Sequence, residues 1–448
     1  MTQHTRRGFL GVVGAAGALA LPGLVAPSAA SSAAAAASTS PASAATAARP
    51  GRKVVTGAQA LAARGWADLA GQRVGVITNP TGILADLRHE VDVMAADDGV
   101  DLVAVFGPEH GFRGTAQAGS SEGTYVDERT GVSVYDAYGA TSAKLADMYR
   151  AADVETVVFD IQDVGSRFYT YVWTMYDAMV AAARTGARFV VLDRPNPIGG
   201  HARGPMMTTP FTTGVGKKEI VQQHGMTVGE LARFFDAEFL PADAGSRLSE
   251  LHVVPVQGWR RDMPFAATGL PWVPPSPNMP TPDTALLYPG TGMFEGTLSS
   301  EGRGTTRPFE WVGDPAFDHR WARAVSGYDL GGVAVRESYF TPTFSKHLGK
   351  VCAGMQVHVT DPARVEGISA AVAMLVEAKR LYPQFTWRQD SWDPARPFWV
   401  DKLSGSSRLR EMVDAGASAA AVEDAWAGEL AEFEARREQY LRYPAPRR

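Results

Sequence analysis

The chain holds a single cysteine, Cys352, in 448 residues. That excludes an intramolecular disulfide and any metal site built from several thiolates. Cys352 lies in the apolar run "KVCAGMQVHV", where a buried, inert thiol is expected. Basic excess is absent as well. The net charge of -5 offers none of the electropositive surface that a phosphate backbone requires, so no nucleic acid partner is expected. No β-like run leads into Gly-x-Gly-x-x-Gly, and no Walker A loop or His-Glu-x-x-His appears. Dinucleotide, nucleotide and zincin chemistry therefore lack their fingerprints, and no cofactor or metal is expected. One formal Gly-x-Ser-x-Gly exists at Gly119–Gly123, centred on Ser121. It lacks the strand before and the helix after that a nucleophile elbow needs.

What is present begins with a leader. Arg6 and Arg7 precede Phe9, Leu10 and an apolar run that ends in small residues. Residues 1–30 read as a twin-arginine signal peptide, and residues 31–52 as a disordered Ala/Ser-rich spacer. The expectation is an exported, extracytoplasmic protein with no stable membrane anchor. Length alone favours two domains thereafter.

From Arg73 a rhythm sets in of short apolar runs, polar loops and amphipathic segments: "RVGVITN", "DLVAVF", "TVVFDI" and "RFVVLD". Runs that are apolar throughout belong to strands covered on both faces, and their alternation with helices implies a parallel α/β sheet. At the carboxyl end of each run stand Thr78 and Asn79, Glu109 and His110, Asp160 and Asp163, and Asp193, Arg194 and Asn196. Open parallel sheets bind ligands beyond those ends, so the four loops together mark a site. Further on, "HGMTVGELARFF" reads as a helix entered at Thr227, with Glu230 completing a capping box. The stretch from Gly269 to Trp311 is rich in Pro and Gly and reads as a long functional loop. In the last predicted helix Val422, Trp426, Leu430, Phe433 and Tyr440 share one face, as core packing requires.

Acid chemistry with carboxylates fits this inventory. Glu109, framed by Pro108 and Gly111, is the candidate general acid. Acetal hydrolysis commonly uses a second carboxyl group, and Asp160, Asp163 and Glu301 are available, with Asp160 and Glu301 taken as catalytic. Arg113, Arg167, Arg194 and Arg303 exceed what a neutral sugar needs and suit a carboxylate-bearing ligand. Tyr169, Tyr171, Trp173 and Trp272 offer flat faces for sugar rings. His110, Asp163, Asp193, Asn196, His224 and Asn278 complete the candidate binding set.

Together "GPEHGFRG", "FDIQDVGSRFYTY", "LDRPNPIGG", "HGMTVGELA", "PSPNMPT", "YPGTGMFEGT" and "SEGRGTT" resemble the exo-β-N-acetylmuramidase (NamZ) family. The resemblance implies a Rossmann-like catalytic domain over 53–285 and a smaller α+β auxiliary domain over 286–448 that closes the active cleft. It implies removal of terminal non-reducing N-acetylmuramic acid from peptidoglycan fragments, with Glu109 in the position held to be catalytic. Ser120 and Arg203 depart from the residues that relatives often carry. A non-catalytic muropeptide-binding protein of the same fold and a metal-dependent cell-wall hydrolase stay open. Retention or inversion of configuration, and the oligomeric state, are not legible.

Overall fold

A computed structural model describes residues 53–444; the expected leader and spacer lie outside them. The strands are β1 (Arg73–Thr78), β2 (Asp101–Gly107), β3 (Tyr125–Val126), β4 (Ser133–Asp136), β5 (Thr156–Asp160), β6 (Arg188–Leu192), β7 (Arg203–Met206), β8 (Val221–Gln223) and β9 (Leu251–Val254). Seven of them form one sheet in the order β3-β4-β2-β1-β5-β6-β9, while β7 and β8 pair separately. Every pairing in the large sheet is parallel except β3 with β4. This is the doubly wound, Rossmann-like order, which reverses between β1 and β5.

The sheet forms because both faces are buried. Side chains alternate along a strand. Ile77, Phe106, Val157, Phe159, Phe189 and Val191 point into one core, shared with residues of the helices Ser142–Ala151, Tyr171–Thr185 and Val228–Glu238. Val74, Val76, Val105, Val158, Val190 and Leu192 point into the other, against Leu61, Leu69, Val91 and Met94. As the capping box implied, Thr227 Oγ1 accepts from Glu230 N and the Glu230 carboxylate accepts from Thr227 N.

The second sheet is antiparallel and smaller: β10 (Trp311–Asp314), β11 (Val333–Phe340) and β12 (Cys352–Val359), in the order β10-β12-β11. It shares a core with the helices His319–Val325 and Gly367–Leu381. Cys352 is buried there, and burial pushes its thiol up to about 12.

Two expectations are corrected. The Pro/Gly-rich stretch contains a helix, Pro282–Thr291, continued by a 3-10 turn, Gly292–Gly296. Pro282 sits at its first turn, where no N–H is missed, and Thr281 caps it. Gly290 packs so closely on Gly367 that a Cβ would lie 1.8 Å from the Gly367 carbonyl oxygen. The last helix is divided at Trp426 into Ala419–Asp424 and Ala427–Arg437. Its apolar stripe is core, as expected, but Val422 and Trp426 enter the core of the small sheet and Phe433 that of the large one.

Candidate active site

The loop after β2 turns sharply at its Glu-His pair. His110 has φ 72° and Gly111 φ 85°. A Cβ at Gly111 would lie 2.2 Å from the Glu122 carboxyl carbon, so glycine is required there by space as well as by conformation. Glu122 fills that space and fastens the loop, accepting from Arg113 N (3.1 Å), Thr115 N (2.9 Å) and Tyr125 Oη (2.9 Å). Burial would raise its carboxyl, but these donors outweigh it and hold the group below the usual range. The pair itself is held by backbone and hydroxyl groups. Glu109 accepts from Gly119 N at 2.8 Å and from Thr170 Oγ1 at 3.1 Å. Thr170 is the N-cap of Tyr171–Thr185 and makes no capping bond of its own. His110 Nδ1 lies 3.1 Å from the Ala116 carbonyl oxygen.

Glu109 and His110 line a cavity of about 620 Å³. Its other wall comes from Ser276, Asn278, Tyr288, Glu295, Arg303 and Phe309, all within the stretch that holds the unexpected helix. Aromatic rings close it: Tyr169 meets Tyr171 edge-on at 5.3 Å and Tyr288 at 5.6 Å, and Tyr288 meets Phe309 at 4.7 Å. Tyr171 Oη donates to the Pro275 carbonyl at 2.6 Å and ties the walls together. Arg303 donates to Glu295 Oε1 at 2.7 Å, sits 3.3 Å from Glu301 Oε1, and lies over the Phe309 ring. Glu301 is itself buried behind this wall and bound by Lys346 at 2.8 Å. Burial alone would raise Glu301, yet Lys346 and Arg303 hold its carboxyl below the usual range.

Of the expected residues, the cavity thus gathers Glu109, His110, Tyr169, Tyr171, Asn278 and Arg303. The others are placed elsewhere. Asp160 is fully buried in a bidentate pair with Arg194, and neither lines the cavity. Asp193 holds the start of Val228–Glu238, accepting from Thr227 Oγ1 (2.9 Å), Gly229 N (2.8 Å) and Tyr443 Oη. Burial pushes its carboxyl up to about 7 against these hydrogen bonds. Asp163 accepts from Gly165 N at 2.6 Å and faces the buried His224 at 3.4 Å. Asn196 accepts from Ile198 N and donates to the Met226 carbonyl.

Arg113 is spent on Asp92 (2.9 Å) and Asp127 (2.7 Å). Arg167, fully buried, donates to the carbonyls of Pro205, Ile220 and Leu403, and burial lowers it to about 9. Arg203 pairs with Glu366. Trp173 is buried and donates to the Arg167 carbonyl. Ser121 donates to Asp136 at 2.8 Å from a loop, not an elbow. Glu301 stands one layer behind the cavity. The carboxylate that lines it opposite Glu109's loop is Glu295, which sequence reasoning missed; the signal was its place in "YPGTGMFEGT".

A second hollow, about 640 Å³, lies between Val54–Thr56, Ile83–Ala85 and Leu270–Val273. Its lining is largely apolar, includes Trp272, and holds no carboxylate or imidazole, so it offers no acid–base pair. Among the described residues no group of three or more His, Cys, Asp or Glu is placed to hold a metal ion, and no helix is long and apolar enough to cross a membrane.

Comparison with known proteins accords with this geometry. Residues 74–283 match the N-terminal model of the exo-β-N-acetylmuramidase NamZ family, and residues 286–443 match its C-terminal model. A Bacillus subtilis (strain 168) protein named peptidoglycan β-N-acetylmuramidase NamZ is 42% identical over 393 residues, 87% of this chain and 92% of its own length. Two crystal structures of DUF1343 family proteins from Bacteroides fragilis superpose with TM-scores of 0.77 and 0.68. They are 32% and 28% identical, each covers 88% of this chain, and the matches span 99% and 100% of their own lengths.

Proposed function

The chain belongs to the exo-β-N-acetylmuramidase NamZ family and is a glycoside hydrolase; from that membership and the Glu109 cavity we propose that it removes terminal N-acetylmuramic acid from peptidoglycan fragments. The observation that carries this reading is the pair Glu109 and Glu295 lining one aromatic-walled cavity. Glu109, oriented by Gly119 N and Thr170 Oγ1, donates its proton to the glycosidic oxygen as the bond from the anomeric carbon to that oxygen breaks. Glu295, paired with Arg303, supplies negative charge to the developing oxocarbenium ion. A water molecule provides the hydroxyl that completes the released sugar and returns its other proton to the Glu109 carboxylate.

Arg303 is the one Arg or Lys among the described residues lining the cavity. It is the group to meet the lactyl carboxylate that distinguishes muramic acid, and Asn278 is the amide for the acetamido group. Export by the twin-arginine leader is part of the same proposal: the substrate lies in the cell wall, and Arg6 and Arg7 are the residues that support it.

The test is turnover of matched β-glycosides of N-acetylmuramic acid and N-acetylglucosamine, with and without prior dialysis against a chelator. Preferential hydrolysis of the muramic acid glycoside, insensitive to chelation, is expected. Equal rates on the two glycosides would remove the role given to Arg303. Activity lost to the chelator and restored by a divalent ion would favour a metal-dependent hydrolase.

A further inference from the structure

Glu109 lines a second space as well. On its other side lies a cleft of about 1020 Å³, which shares Glu109, Thr170 and Val215 with the first cavity. One bank is the turn after β4, Ala137–Thr141; the other is the helix Tyr171–Thr185, with Thr174 and Asp177, and the segment at Lys217.

The two spaces differ in the way that an enzyme trimming a chain from its end requires. The first is walled by buried rings (Phe168, Tyr169, Tyr171, Tyr288 and Phe309) and carries the guanidinium of Arg303. The second is rimmed by the exposed residues Tyr138, Gly139, Thr141 and Gly214. A ring-walled pocket with a cation fits the terminal, carboxylate-bearing sugar. The exposed rim suits the remainder of the glycan. A proton donor has to stand between two such subsites, and Glu109 borders both.

We propose that this open cleft is the leaving-group subsite, which binds the next sugar of the glycan strand, a neutral acetamido-pyranose, against the ring of Tyr138. The proposal rests on the function put forward above. Tyr138 is 37% exposed, and its backbone N–H donates to Asp136 Oδ1 at 3.1 Å, which holds the turn that presents the ring. The charge of Glu109 reaches its phenol, which burial and that carboxylate together raise. The cation in the cleft, Lys217, is matched by an ion pair with Asp177. A cleft whose cation is already paired suits an uncharged ring, in keeping with the neutral sugar assigned here.

The experiment uses the exported chain without its leader and the disaccharide N-acetylmuramyl-β-1,4-N-acetylglucosamine. Its two products, free N-acetylglucosamine and free N-acetylmuramic acid, serve as inhibitors. In Tyr138→Ala the KM for the disaccharide and the inhibition constant of N-acetylglucosamine are expected to rise about fivefold or more, the scale of one lost aromatic contact. Inhibition by N-acetylmuramic acid and kcat should stay within about threefold of wild type on the same scale. Tyr138→Phe should restore both affected constants, because the ring and not the hydroxyl is the platform. The thermal midpoint checks that each variant is folded. A Tyr138→Ala enzyme with unchanged N-acetylglucosamine inhibition, or with both products weakened alike, overturns this subsite alone. A wild-type chain that leaves the disaccharide intact overturns the function reading and this proposal with it.

Discussion

Replacing Glu109 with Gln separates the chemistry from the architecture. The substitution is nearly isosteric. The Gln carbonyl oxygen can still accept from Gly119 N, now at 2.8 Å to the carboxylate, and its amide can donate to Thr170 Oγ1. Trading two hydrogen bonds to a carboxyl group for two to an amide on a half-buried loop should cost on the order of 1 kcal/mol of stability, so the fold survives. The amide, however, has no proton to give. General acid catalysis is worth about 10²–10⁴-fold, or roughly 3–5 kcal/mol of barrier, and it matters most when the leaving group is a poor one. The assay is therefore kcat/KM on two substrates, the disaccharide and a 4-nitrophenyl glycoside of N-acetylmuramic acid. A sugar alkoxide needs the proton and should lose about 10²-fold or more, whereas nitrophenolate leaves with little help and should lose less than about tenfold. Equal losses on both substrates would make Glu109 something other than the acid. More than about a tenth of wild-type turnover on the disaccharide would remove it from the chemistry.

Asp160→Asn tests the reassignment of a residue that looked catalytic. It strands the buried Arg194 guanidinium without its partner, and loss of one member of a buried pair costs about 3–5 kcal/mol. Urea unfolding should show that loss while turnover per folded molecule stays near wild type; a collapse of kcat at unchanged stability would return Asp160 to the reaction. Glu301→Gln tests the support of the Arg303 wall through pH. The folded-state pKa of Glu301 lies below its unfolded value, so its stabilisation is complete above about pH 4.3 and is lost as the pH falls from there through the folded value. The difference in thermal midpoint between wild type and variant should therefore narrow below about pH 4, and a gap that stays constant down to acid unfolding would contradict the charge-based account.

Much of the large sheet was legible because its strands are buried on both faces, and a run such as "TVVFD" sets four apolar or β-branched positions in a row. The short pieces were not. β3 has two residues and gains its identity only by pairing with β4, which a local pattern cannot reveal. The helix Pro282–Thr291 was hidden by its own prolines, one at the permitted first turn and the other, Pro289, near the end. That omission cost the site its second carboxylate. Read as loop, Glu295 was one acid among many. As part of the turn that extends a capped helix, it is carried to the wall of the cavity that Glu109 lines.

The same logic explains why four polar loops yielded one reactive cavity. Sequence shows that Asp160 and Arg194 end neighbouring strands, but not that each is the other's partner, because a pair 34 positions apart is a tertiary fact. In the structure the order of the sheet reverses between β1 and β5, the place where such folds ordinarily receive a dinucleotide. Here a buried ion pair stands at that place. The Asp160–Arg194 pair lies beside the fully buried Glu90, whose carboxyl is raised well above its usual range by burial and by the nearby Asp160. The helix following β1 is only five residues long, and its first turn is capped by His89, whose ring accepts from Val91 N. A helix start occupied in this way, with an acid behind it, has nothing to offer a phosphate. The missing glycine fingerprint and the buried ion pair are one fact seen twice. The hollow beside the switch point, lined by Thr81, Gln162 and Arg194, holds no carboxylate or imidazole among the described residues, and the cavity with acid–base side chains is one strand over, beyond β2, where a Pro and a Gly frame Glu109 and the 276–309 segment forms the other side.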